Sequence, residues 1–197
     1  MNYGETWGDT VDFNTSTIFE KVDGSLICLW QFNNQWHVST SGMPDAAGQV
    51  GDFGFTFAEL FWRTWKELGY SLDNANKNYC YAFELATNYN QLVVQYDKPR
   101  IVLHGVRDLT TLQEKNPILH ARTNGWECVK TYALNNIEDV VKAANELKTC
   151  EGEGFVVCDM TRDENGNYKR IKVKSIQHVH ISHLRQSTTK RSLLEVV

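Results

Sequence analysis

A chain of 197 residues with 42% hydrophobic and 12% aromatic residues has the material for one packed domain with at most a small appendage, which excludes a disordered chain. Twenty basic residues against 24 acidic ones give a formal net charge of −4. That excludes a protein that coats nucleic acid through a large positive field, while leaving room for a local basic groove. Cys28, Cys80, Cys128, Cys150 and Cys158 are odd in number, widely spaced and form no C-x-x-C pair. They predict buried free thiols in a reducing compartment rather than a zinc knuckle or a disulfide framework. No signal peptide is legible, and no apolar run approaches the roughly 20 residues of a membrane span, so the expectation is a cytosolic protein without a membrane partner.

Residues 1–15 are polar and turn-like and read as a lead-in. Thr17–Val22 reads as a strand, and Leu26–Gln31 and Trp36–Thr40 flank Asn33-Asn34, a hairpin signal. The glycine-rich stretch 42–54 reads as a loop. Thr56 and Glu59 have capping-box spacing, and Phe57, Phe61, Trp65 and Leu68 then recur at helical spacing up to Gly69. Those aromatics, with Trp62, are expected to fill a core rather than to stack on bases. Tyr79–Leu85, Leu92–Tyr96 and Arg100–Val106 read as three further strands. Asn136 is placed to cap a helix whose apolar face is Ile137, Val140, Val141, Ala144 and Leu147. Gly154–Asp159 and Lys169–Ser175 read as strands joined by a turn at 164–167. Residues 185–197 form a basic tail. Strands that pair mainly antiparallel, with at least two packed helices, predict an α+β domain over residues 16–184.

Five short segments carry chemistry: Glu20-Lys21-Val22-Asp23-Gly24-Ser25, Ser39-Thr40-Ser41-Gly42, Phe83-Glu84, Glu153-Gly154-Phe155-Val156 and Ile171-Lys172-Val173-Lys174-Ser175. A lysine amine attacks phosphorus only when uncharged, and its free pKa is ~10.4, so a site must gather positive charge or exclude water around it. Alternation along a strand puts Lys172 and Lys174 on one face and Ile171 and Val173 on the other. Two cations on one face suit a triphosphate, because they offset charge that builds on its oxygens during transfer. Gly24 permits a tight turn with positive φ that brings backbone close to a ligand. Glu84 interrupts an apolar strand, and an acidic residue there needs a partner. Glu153 precedes an apolar strand directly, which favours it over Glu151 as a functional carboxylate. His178, His180 and His183 lie close together without a matching ligand cluster and are expected to face solvent rather than to bind zinc. Val102–Asp108 reads mainly as packing.

In this order the segments resemble the covalent nucleotidyltransferase superfamily of DNA and RNA ligases and capping enzymes. Ser25, the Glu-Gly-Phe-Val run and the Lys-x-Lys-Ser run look most like the bacteriophage-type RNA-repair ligases. The resemblance spans roughly Ile18 to Leu184. It implies two antiparallel sheets with flanking helices around an ATP pocket. Lys21 is then the nucleophile that forms lysyl-AMP. Asp23, Gly24, Ser25, Ser41, Glu84, Lys172 and Lys174 are nucleotide contacts, and Glu153 is the Mg²⁺-site carboxylate. The implied substrates are ATP and RNA with 5′-phosphate and 3′-hydroxyl ends. A DNA ligase, a capping-type enzyme or a non-catalytic relative stand as alternatives. Two departures are visible. Ser41 stands before Gly42 where many relatives have lysine, giving a hydrogen-bond donor without charge. Related ligases also carry an Arg-Gly element upstream of the nucleophile, whereas the 20 residues before Lys21 contain no arginine. Little chain follows Leu184, so the expectation is a minimal catalytic core or a fragment, with RNA specificity supplied by a further domain or partner.

Overall fold

The computed structural model describes residues 2–4, 11–148 and 151–187. Its elements in chain order are β1 (Ser16–Lys21), β2 (Ser25–Phe32), β3 (Gln35–Thr40), α1 (Phe57–Glu67), β4 (Tyr79–Ala86), β5 (Arg100–Asp108), β6 (Glu114–Lys115), α2 (Pro117–Asn124), β7 (Glu127–Cys128), β8 (Thr131–Tyr132), α3 (Ile137–Glu146), β9 (Gly154–Arg162), β10 (Tyr168–Lys174) and α4 (Ile176–Ser187). They form two sheets. The first runs β10-β9-β1-β8, and the second β3-β2-β4-β5-β6 with β7 added parallel to β5. All other pairings are antiparallel. The α+β expectation and its two-sheet form are met.

Alternation sorts the first sheet into two faces. Ile18, Phe155, Val157, Ile171 and Val173 pack on Val140 and Ala144 of α3. From the opposite face, Phe19 and Cys158 join Val102 and Ala86 of the second sheet in a cluster between the sheets. The second sheet buries Ile27, Leu29, Tyr81, Phe83 and Leu103 against Leu60, Phe61 and Trp65 of α1. The aromatic stripe read on that helix is therefore core. At its start Thr56 accepts from the Glu59 amide while Glu59 accepts from the Thr56 amide, closing the capping box.

Two expectations fail and one helix comes without an expectation, each for an identifiable reason. Leu92–Tyr96 is not a strand. The amides of Val93 and Val94 both donate to one carboxylate oxygen of Asp23, at 2.7 Å each, instead of to a ladder. Residues 117–124 form a helix that apolar periodicity does not reveal. Its signals were Asn116, which caps it, Pro117 at its first turn and the left-handed Gly125 at its end. The chain from Ile176 is helix α4, so His178 and His180 do not alternate across a strand, and His178 is buried. The tail expected over 185–197 lies mostly outside the described residues, as does Cys150. Cys28, Cys80, Cys128 and Cys158 are free thiols, with Cys158 buried and the other three half-buried. Among the described residues no helix is long and apolar enough to cross a membrane.

Candidate active site

Register builds the centre of the site. Lys21 at the end of β1 is paired with Gly154 at the start of β9, and Gly154 is paired in turn with Lys174 at the end of β10. Two lysines thus flank a residue with no side chain. Gly154 has φ +143°, and a Cβ there would lie 2.1 Å from the Val173 carbonyl oxygen, so only glycine lets the three strands close at this point. The preceding residue, Glu153, fills the gap. Its Oε2 stands 2.5 Å from Lys21 Nζ and its Oε1 2.9 Å from Lys174 Nζ, and it is 5% exposed. Glu151, the rival in the sequence, is exposed and faces Lys148 instead.

A second carboxylate sits behind Lys21. Asp23 is 3% exposed. Its backbone amide donates to the Tyr96 hydroxyl at 3.0 Å, and its Oδ2 takes the two amides of Val93 and Val94. His178 Nε2 approaches its Oδ1 to 3.3 Å, close enough for an electrostatic contact but not aligned as a hydrogen bond. Burial pushes the Asp23 carboxyl up, but His178 and the amides of Val94 and Val93 outweigh it and hold the group below the ordinary carboxylate range. Gly24 does not adopt the positive φ expected of it. It is required by crowding instead, since a Cβ would lie 2.5 Å from the Leu85 carbonyl oxygen. Ser25 Oγ accepts from Asn90 Nδ2, which also bonds the Leu85 carbonyl oxygen. The loop after β4 is in this way fastened to the turn that follows Lys21.

Between the sheets, beside Lys21, opens a cavity of about 500 Å³, within the ordinary range for small-ligand sites. The first sheet lines it with Phe19, Val156, Arg170 and Lys172, and the second with Leu26, Ala82, Glu84 and His104. Burial raises the Glu84 carboxyl to about 7; Glu153 and Asp23 add to this and Lys21 and Lys172 oppose it. Burial likewise lowers His104 to about 4, helped by Arg170, Lys21 and Lys172, so its ring is neutral at pH 7. His104 Nε2 is 3.7 Å from Glu84 Oε2. Another part of the wall is closed by Glu114, which pairs with both Arg107 and Arg170. Cys28 and Cys80, on paired strands, also face the cavity. A shared hydrogen bond from Cys80 lowers the Cys28 thiol below its ordinary range against the cost of burial.

Lys21, Glu84 and Lys172 thus line one cavity, and Glu153 joins Lys21 to Lys174 beside it. Asp23, Gly24 and Ser25 form the turn beneath them. Ser41 and Gly42 are exposed beyond β3 and line neither this cavity nor the one beside α4. His104, Asn90, Tyr96 and His178 were not read as site residues. For His104 a signal existed, a polar residue inside the apolar run of β5. His178 carries no local signal, because its burial depends on α4 packing against a turn 155 residues earlier.

For a divalent cation, the ligand atoms of Asp23, Glu153 and His178 lie within 4.8 Å of one another and are buried. The two oxygens of Asp23 are already committed to backbone amides and to His178. Both oxygens of Glu153 are in turn paired with Lys21 and Lys174, so a hard cation such as Mg²⁺ would take Glu153 only in exchange for a lysine contact.

A lysine held at the mouth of a cavity between two antiparallel sheets defines a nucleotidyltransferase-type fold. Solved RNA ligases share it. A mutant Naegleria gruberi RNA ligase with ATP and Mn superposes with a TM-score of 0.59 at 15% identity, over 86% of this chain and 51% of that one. An archaeal ATP-dependent RNA ligase does so with a TM-score of 0.60 at 16% identity, over 86% of this chain and 44% of that one. In sequence, the model of the RNA ligase family matches residues 3–177, and the chain belongs to that family. It is 35% identical over 101 residues, 47% of its length, to an RNA ligase of Rhodothermus phage RM378. The chain spans only 23% of that ligase's length.

Proposed function

We propose that this chain is the nucleotidyltransferase core of an ATP-dependent RNA ligase. The observation that carries this is the Lys21–Glu153–Lys174 bridge at the mouth of the cavity. It joins one amine, one buried carboxylate and one further cation, with Lys172 on the adjoining cavity wall, and this supports a triphosphate lying across them. ATP enters with its nucleoside between the sheets. The uncharged Lys21 amine attacks the α-phosphorus, the bond to the β-phosphate oxygen breaks, and pyrophosphate leaves. Lys172 and Lys174 offset charge on the phosphate oxygens as it builds. The product is a lysyl-AMP phosphoramidate. AMP then passes to an RNA 5′-phosphate, and a 3′-hydroxyl displaces it to seal the strand.

Glu84 takes a ribose hydroxyl, Asp23 and Gly24 fix the turn behind the nucleotide, and Ser25 ties that turn to the loop after β4. Ser41 is a triphosphate contact only if the end of β3 moves toward the cavity. Glu153 would hold Mg²⁺, which supplies charge neutralisation of the triphosphate when bound. RNA selection belongs to a further domain or partner, and the working location is the cytosol.

Incubation with α-labelled ATP and Mg²⁺ should give an acid-labile protein adduct that Lys21→Ala abolishes. Equal labelling of Lys21→Ala would refute the reading, and labelling by GTP in preference to ATP would move the chain to the capping class.

A further inference from the structure

Four side chains from three separate segments meet on the surface beside the Lys21 turn. Phe53 and Phe55 stack at 6.0 Å, and the ring of Tyr89 stands edge-on to both, at 5.2 and 5.3 Å. The Arg63 guanidinium of α1 lies over Phe55 at 4.5 Å and over Tyr89 at 4.8 Å. The core does not account for this cluster, because Phe53 stays 55% exposed and Tyr89 45% exposed.

The platform is fixed rather than loose. Gly51 and Gly54, both with positive φ, bracket Phe53 in a tight turn, and Val50 anchors that turn in the core at 1% exposure. On the other side, the Tyr89 amide donates to Thr87 Oγ1, and Thr87 bonds Asn90. Asn90 is the residue bonded to Ser25, and the same loop sends two amides to Asp23. Tyr89 is therefore joined by a short chain of hydrogen bonds to the turn that carries the nucleophile.

We infer that the Phe53–Tyr89–Arg63 platform stacks a nucleobase of the single-stranded RNA whose end is brought to Lys21. The inference rests on the RNA ligase reading and adds a place for the strand. Exposed aromatic rings with an arginine across them are the usual means of holding an unpaired base, because every base offers a π-face. The charge balance of this chain strengthens the assignment. With a net charge of −4, the chain as a whole sets up no long-range positive field, so the grip falls to short-range contacts, and stacking is one of these. Arg63 also places a positive charge at the platform for the neighbouring phosphate.

The test uses the full chain and a short 5′-phosphorylated RNA, with binding followed by fluorescence anisotropy. Two further RNAs carry an abasic residue, one at the 5′-phosphorylated end and one at the 3′-hydroxyl end. Wild type should bind the intact RNA on the order of tenfold more tightly than one of the abasic RNAs. The abasic end that weakens binding names the strand the platform holds. Phe53→Ser and Tyr89→Ser, both at exposed positions, should bind intact and abasic RNA alike. If these variants keep the wild-type preference, the platform assignment is overturned. It is also overturned if the variants act only by dissolving a dimer seen in sedimentation, since the patch would then hold a second copy of the chain. Wild-type labelling by ATP is run alongside. An adduct without the base preference sinks the platform alone, whereas the absence of any adduct sinks the ligase reading beneath it.

Discussion

Glu84 shows what burial does to a single group in this site. Its carboxyl rises from 4.5 to about 7 because water is excluded from it, with Glu153 and Asp23 adding repulsion. Between these values the folded chain binds a proton that the unfolded chain has released. Stability from this group is therefore complete below about pH 4.5 and is lost as pH rises through about pH 7. Glu84→Gln should remove that slope and be more stable than wild type above neutrality by about 3 kcal/mol. Urea denaturation of both proteins across this range measures it, and parallel curves would contradict the account. The same residue shows why part of the site was legible: an acid in an apolar strand announces a need for a partner. His104 gave the same kind of sign and was passed over, because packing explained its neighbours. His178 gave none, since only the fold brings it to Asp23.

At the scale of elements, the site depends on where β9 begins. Its first residue lies between Lys21 and Lys174 in register, and the left-handed backbone of Gly154 leaves no volume for a methyl group against Val173. Gly154→Ala should cost at least about 2 kcal/mol by forcing β9 away from β10. It should also displace Lys174 from Glu153 and slow adduct formation. A shift in urea midpoint together with the labelling rate checks both effects, and an unchanged midpoint would show that the strands can yield. The elements with strong local signals were readable in the sequence: the capped helix α1, the Asn136-capped α3 and the strands around their turns. The two misreadings have different causes. At Leu92–Tyr96 a β-branched, apolar run looks like a strand, but a buried carboxylate 70 residues away in sequence claims its amides. At α2 the caps were present, and the absence of an apolar stripe hid the helix between them.

Across the whole molecule, the fold works by setting two sheets face to face and leaving part of the gap unfilled. Val102 and Cys158 pack part of that gap, Phe19 and Val129 border both the packing and the cavity, and the rest is the cavity. The order of the motifs along the chain foretold that Lys21 and the lysine pair would meet. It did not foretell that a single glutamate would hold two of the lysines together, because that follows from strand register. The same architecture has equipped the cavity with its own gauge of occupancy. Cys28 and Cys80 look into it from the second sheet, and the hydrogen bond between them favours the thiolate of one of them. A small maleimide should modify this pair in the empty protein and be shut out as ATP saturates it. The dependence of that modification rate on ATP concentration then reads nucleotide affinity without turnover, even in a Lys21→Ala chain, and modification indifferent to ATP would mean that the nucleoside lodges elsewhere.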